Sequence, residues 1–127
     1  MFKSKSSVFD LIKFAPSTSH LGVMKWQGNI DGVNTPVDTG ISVNAQSRGE
    51  TLLVLCSGHS ATGDSTTSAI YMLRLGYDGN NMHTSEIVKD TGSDTPGNYF
   101  TFGVSSNGTL TIAGPHGSNC VKVISNR

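Results

Sequence analysis

Tyr99-Phe100-Thr101-Phe102-Gly103-Val104-Ser105-Ser106-Asn107-Gly108-Thr109-Leu110-Thr111-Ile112 holds two alternating runs with a turn signal between them. Phe100, Phe102 and Val104 share one face of the first run, and Leu110 and Ile112 share one face of the second. Period-two alternation is the signature of a strand with one face buried. Asn107-Gly108 is the preferred pair for a two-residue type I′ hairpin turn, so the segment predicts an antiparallel hairpin.

The same grammar extends in both directions. Downstream, Cys120-Val121-Lys122-Val123-Ile124 forms a last strand candidate. Upstream, Thr67 to Tyr77 places Ala69, Tyr71, Leu73 and Leu75 on one face, with Ile70, Met72 and Arg74 on the other. Asp78-Gly79-Asn80-Asn81 then turns the chain, and Met82 to Val88 can pair back. Thr51-Leu52-Leu53-Val54-Leu55-Cys56 is apolar on both faces, which predicts a central, fully buried strand. Gly40 to Asn44 is another candidate. Val23-Met24-Lys25-Trp26 is one more, with Gly28-Asn29 and Asp31-Gly32 expected to turn the chain after it. About eight short strands at this spacing predict an all-β, antiparallel β-sandwich of jelly-roll kind over residues 21–127. Residues 1–20, with Lys3, Lys5, Lys13 and the run Val8 to Phe14 ending at Ala15-Pro16, read as an N-terminal connector.

Composition agrees with that class. Ser (17), Gly (15), Thr (13) and Asn (9) supply most of the polarity, and these residues favour turns and strand faces over helices. Nine basic and nine acidic residues cancel, and charged residues are only 14% of the chain. Such a surface offers no electrostatic footprint for nucleic acid and no basic patch for anionic lipid. No apolar run approaches the ~20 residues of a membrane span, so membrane insertion is not expected. The N-terminus lacks the apolar core and cleavage site of an export signal, so synthesis in a reducing cytoplasm is expected. Cys56 and Cys120 lie in apolar stretches; two buried free thiols or an inter-sheet disulfide both fit.

Little here carries catalysis. Cys56-Ser57-Gly58-His59-Ser60-Ala61-Thr62-Gly63 approaches a nucleophile elbow, but the second glycine is one position late and no helix follows. Asp31, Asp64, Asp78 and Asp94 all sit in turn contexts, which explain them without a carboxylate pair for glycoside hydrolysis. No histidine has zinc spacing, no loop has the form of a phosphate cradle, and no cofactor or metal is expected. The chain is expected to bind or assemble, not to catalyse.

Antiparallel succession after residue 51 predicts that loops 57–66, 90–98 and 113–119 share one end of the sandwich. The turns at 78–81 and 105–108 would share the other. The loop end would then gather His59, Asp64, Asp94, Asn98, Tyr99 and His116 as candidate ligand-binding residues. Aromatic rings pack on the C–H faces of sugars while amides and carboxylates take the hydroxyls, and Tyr99 is the aromatic best placed for that. Trp26 reads as a core anchor.

Gly49 to Arg127 resembles the C-terminal domains of bacteriophage tailspikes and tail fibres. The resemblance rests on Leu52 to Leu55, on Ala69-Ile70-Tyr71-Met72-Leu73-Arg74-Leu75-Gly76-Tyr77-Asp78-Gly79-Asn80, and on the hairpin Phe100 to Ile112. The chain also stops directly after its last strand at Asn126-Arg127, as such caps do. It implies a homotrimeric β-sandwich cap at the distal end of a virion tail fibre, in contact with host surface polysaccharide. In that family depolymerase activity usually belongs to a preceding β-helix domain. Apolar residues on outward strand faces, namely Leu53 and Leu55 or Ile70 and Met72, would supply the trimer contact. A stand-alone carbohydrate-binding module, or a fragment of a polysaccharide-degrading enzyme, are the alternatives.

Overall fold

A computed structural model describes residues 22–31, 35–59, 66–90, 100–114 and 118–127. Among the described residues, eight strands run in chain order: β1 (Val23–Asp31), β2 (Val37–Ser42), β3 (Thr51–His59), β4 (Thr66–Leu75), β5 (Met82–Asp90), β6 (Thr101–Val104), β7 (Thr109–Ala113) and β8 (Ser118–Ser125). They form a five-stranded sheet, β1-β8-β3-β4-β5, and a three-stranded sheet, β2-β7-β6, with every pairing antiparallel. The two sheets close on one core, so the all-β sandwich is the fold.

Alternation builds that core. Leu52, Val54 and Cys56 of β3, Ala69, Tyr71, Leu73 and Leu75 of β4, and Val121 and Val123 of β8 are buried on one face of the large sheet. Ile41, Val43, Leu110 and Ile112 face them from the small sheet, with Phe100 at its margin. Tyr71 meets Phe100 and Phe102 edge-on, at centroid separations of 6.3 and 4.9 Å, the arrangement aromatic quadrupoles favour. Burial fades along β6, from Phe100 to half-buried Phe102 to Val104 at 37% exposure, because β6 is an edge strand of the smaller layer.

β3 is the centre of the large sheet, as its apolar run predicts, but it is buried on one face only. Leu53 and Leu55 point outward and stay half-exposed. β1 does not turn at Gly28-Asn29; it runs on to Asp31 and pairs with β8. The glycine serves packing instead. A Cβ on Gly28 would lie 2.6 Å from the Trp26 ring, so the indole lies across Gly28 and fills the side-chain space there. Trp26 is half-buried and packs on the core cluster.

The β6–β7 turn also differs from the expected type. A type I′ turn needs positive φ at both central residues, and no residue but glycine has positive φ among those described. The turn is closed by Gly108 N–H donating to the Ser105 carbonyl (2.9 Å), and Gly108 then takes φ +76°. A 3-10 turn, Ala45–Ser47, is capped by Asn44, whose side-chain oxygen accepts from the N–H groups of Gln46 and Ser47. Arg127 ties the end of the sheet to this turn, its guanidinium donating to the Gln46 (3.3 Å) and Arg48 (2.8 Å) carbonyls. On β2, the Asp38 carboxylate accepts from Gly40 N–H and from the Thr109 hydroxyl of β7, and these bonds hold its pKa below the ordinary 3.8.

Candidate functional site

Register fixes what the outer face of the large sheet displays. One row across the strands reads Met24, Ile124, Leu53, Met72, Ser85. The next reads Gln27, Lys122, Leu55, Ile70, Val88, and a third reads Asn29, Cys120, Ser57, Ser68. The first two rows form an apolar belt centred on Leu53, Leu55, Ile70 and Met72 of β3 and β4, extended by Met24, Ile124 and Val88 and interrupted by Gln27, Lys122 and Ser85. Met24 is 49% exposed and Val88 50%, with Ile87 beside it at a register shift at 55%. Among the described residues, no strand packs over this face; the small sheet covers the opposite one. Leu53, Leu55, Ile70 and Met72, which the sequence singles out as outward-facing, all lie in the belt.

The third row is polar and faces the end of the sheet from which segments 60–65, 91–99 and 115–117 depart. Asp31, Ser118, His59 and Thr66 are paired in sequence across that edge, and β5 ends there at Asp90. So the strands place the roots of the three predicted loops at one end. β3 runs on to His59 and β4 starts at Thr66, which shortens the first loop to 60–65. His59 is described by its backbone alone, at the last position of β3. Asp64, Asp94, Asn98, Tyr99 and His116 lie outside the described residues, as does the connector 1–20.

The other end carries the two tight turns as expected, although the one expected at 78–81 already begins at Gly76. Between them opens a cleft of about 370 Å³, lined by Ser42, Val43, Asn44, Asn80 and the stretch Val104 to Gly108. Sequence reading missed this cleft, because short turns read as closures; only one Asn from each wall, Asn44, Asn80 and Asn107, hinted at it. Nearby Tyr77 is 58% exposed, with the Arg74 guanidinium 4.7 Å above its ring and His83 5.2 Å away.

The two cysteines are free, and they point to opposite faces of the sheet. Cys56 is buried on the inner face, and burial pushes its thiol up from 9.0 to about 12. Such a thiol is almost wholly protonated at neutral pH and is a poor nucleophile. Cys120 is exposed on the outer face, where its thiol donates to Asn29 Oδ1 at 3.1 Å; burial of both thiols is therefore not observed. Two shallow dents of about 210 and 150 Å³ flank it, lined by Gln27, Asn29, Ser57 and Lys122 among others. Among the described residues, no three of His, Cys, Asp and Glu gather to hold a metal ion, and no helix is long and apolar enough to cross a membrane.

No family model and no curated protein matches the chain. Among solved structures, it is similar to the tailspike protein gp49 from Acinetobacter baumannii bacteriophage Fri1, a capsular polysaccharide depolymerase. That similarity has 15% identity and a TM-score of 0.47, and covers 78% of this chain and 16% of that one. It is also similar to the tailspike protein of the Acinetobacter phage vB_ApiP_P1, with 20% identity and a TM-score of 0.42, over 80% of this chain and 19% of that one. The chain thus spans under a fifth of either structure.

Proposed function

We propose that this domain is the cap of a phage tailspike or tail fibre, which joins three copies of the chain and touches host surface glycan. The sequence resemblance over residues 49–127 supplies the setting. The apolar belt on the outer face of the large sheet carries the assembly reading. A sheet of five strands ~4.8 Å apart, each ~9 residues long at ~3.3 Å per residue, presents about 700 Å² of face. The whole face, its polar row included, is thus close to the ~800 Å² each partner contributes to a standard protein interface, with the belt as its apolar centre. Leaving Met24, Leu53, Leu55, Ile70, Met72, Val88 and Ile124 against water would forfeit about 25 cal/mol for each Å² of apolar surface that a partner could cover. Exposed belts of this extent mark interaction surfaces.

Glycan contact falls on an end of the sandwich in this reading, because the belt is occupied by neighbouring subunits. The loop end, with Tyr99, His59, Asp64, Asp94, Asn98 and His116 in or beside its segments, remains the candidate proposed from the sequence. A domain of this kind works by positioning and binding, not catalysis.

Native mass by light scattering tests the assembly. The expected value is three times the 13.4 kDa chain. Leu53→Asp combined with Ile70→Asp should reduce it to one chain while preserving the β-sheet circular dichroism. A parent protein that is monomeric at high concentration would sink the cap and leave a stand-alone carbohydrate-binding module.

A further inference from the structure

We infer that the cleft between the two turns, at the end opposite the loop segments, is a binding site for an uncharged saccharide. The inference rests on the glycan-binding part of the reading above and gives that part a place.

Three features of the cleft carry it. First, its lining is rich in hydrogen-bonding groups and free of charge. Asn80 and Asn107 offer carboxamides, and Ser42 and Ser106 offer hydroxyls. Asn44 in the lining has its oxygen committed to the N–H groups of Gln46 and Ser47, and its carboxamide keeps its N–H groups as donors. Carboxamides and hydroxyls both donate and accept, which matches the dual character of sugar hydroxyls. With no ionised side chain in the lining, nothing compensates the desolvation of a charged ligand. Second, Val104, 37% exposed, gives the wall an apolar patch on which the C–H face of a pyranose can rest.

Third, the walls are fixed before any ligand arrives. Val43 N–H donates to the Gly108 carbonyl (2.8 Å), Ser105 N–H to Thr109 (2.8 Å) and Asn81 N–H to Asp78 (3.2 Å). Gly76 lets the 76–81 turn press directly on the 44–48 segment, since a Cβ there would lie 2.7 Å from the Asn44 carbonyl oxygen. Preorganised walls spare the ligand the cost of ordering loops. The groove is shallow and open, about 370 Å³, with room for one or two sugar rings lying against the surface.

The test uses the whole chain, a panel of neutral gluco-, galacto- and N-acetylglucosamine oligosaccharides, one uronic-acid oligosaccharide of matched length and one Ser/Asn-rich neutral peptide. Binding is followed by amide shifts in two-dimensional NMR, and native mass is recorded in parallel. A neutral oligosaccharide is expected to move the amides of residues 42–44, 80 and 104–108. Asn80→Ala with Asn107→Ala should weaken it about tenfold or more, for the loss of two or more hydrogen bonds, with native mass unchanged. If the double variant binds the sugar as the parent does, the cleft is not the site and the glycan reading survives elsewhere. If the parent binds no sugar in the panel, both fail. Tighter binding of the uronic-acid oligomer or of the peptide would overturn the assignment of an uncharged saccharide.

Discussion

Single residues carry two chemical consequences that can be measured. Cys56 has its folded-state pKa raised to about 12 from 9.0 because its thiolate would be buried without a partner. Above pH 9.0 the unfolded chain loses this proton while the folded chain keeps it, so stability present at neutral pH is lost as pH rises toward 12. The slope in that window approaches 1.4 kcal/mol per pH unit for one group. Urea unfolding from pH 8 to 11 should show that decline, and Cys56→Ala should be flatter across the same range. Glycines give the second consequence. Gly76 and Gly40 have similar positive φ, +63° and +74°, but only Gly76 sits against backbone; Gly40 has nothing within 4 Å of a Cβ. Gly40→Ala is expected to cost about 1 kcal/mol for conformation alone. Gly76→Ala should cost clearly more, since the 44–48 segment must move, and the gap between their urea midpoints measures that close approach.

At the scale of the strand, burial pattern and register answer different questions, and the sequence spoke to only one of them. Alternation located β4, β6 and β7 and named the buried faces of β4 and β7, because a period of two leaves no choice of side, but on β6 the expected core face reaches only half-buried Phe102 and leaves Val104 exposed. The hairpin pairings β4–β5 and β6–β7 were legible from the turns between them, but which strands neighbour one another beyond those two hairpins was not. β1 and β8 pair across 87 residues (Asp31 with Ser118) to 102 residues (Val23 with Ser125), with a register shift between Met24 and Trp26 that no local pattern announces. Gly28 was misread as a turn because glycine both bends chains and makes room, and only the Trp26 ring two residues back decides between them. The candidate site was less legible still: alternation could order the ends of the sandwich, yet loop residues such as Asp94 and His116 have no periodicity to anchor them. Register also yields a test. Leu73 is fully buried on the inner face of β4 and Leu55 half-exposed on the outer face of neighbouring β3. Leu73→Ala should cost about 2–5 kcal/mol in chemical unfolding, as cavity-forming substitutions do. Leu55→Asp should leave the fold of the single chain intact and act on native mass instead.

For the whole molecule, the proposed assembly is apolar at its centre, and its response to salt follows. Ion pairs between exposed groups are screened within about 3 Å at 1 M salt, whereas burial of apolar surface is not. The native mass in about 1 M sodium chloride should therefore equal that at low salt; a trimer that dissociates there would be held by charge and not by the belt. The strand order has a further consequence, one of timing. β8 lies between β1 and β3 in the sheet, yet it follows all seven other strands along the chain. As the polypeptide emerges from the ribosome, β3 and β1 must each wait with an open edge until residues 118–125 arrive to join them. The belt is likewise cut in two until Ile124 and Lys122 bridge Met24 and Gln27 to Leu53 and Leu55. In the proposed assembly, a nascent chain thus cannot present a finished surface to its neighbours, and recruitment of partners is deferred until residues 118–125 have emerged.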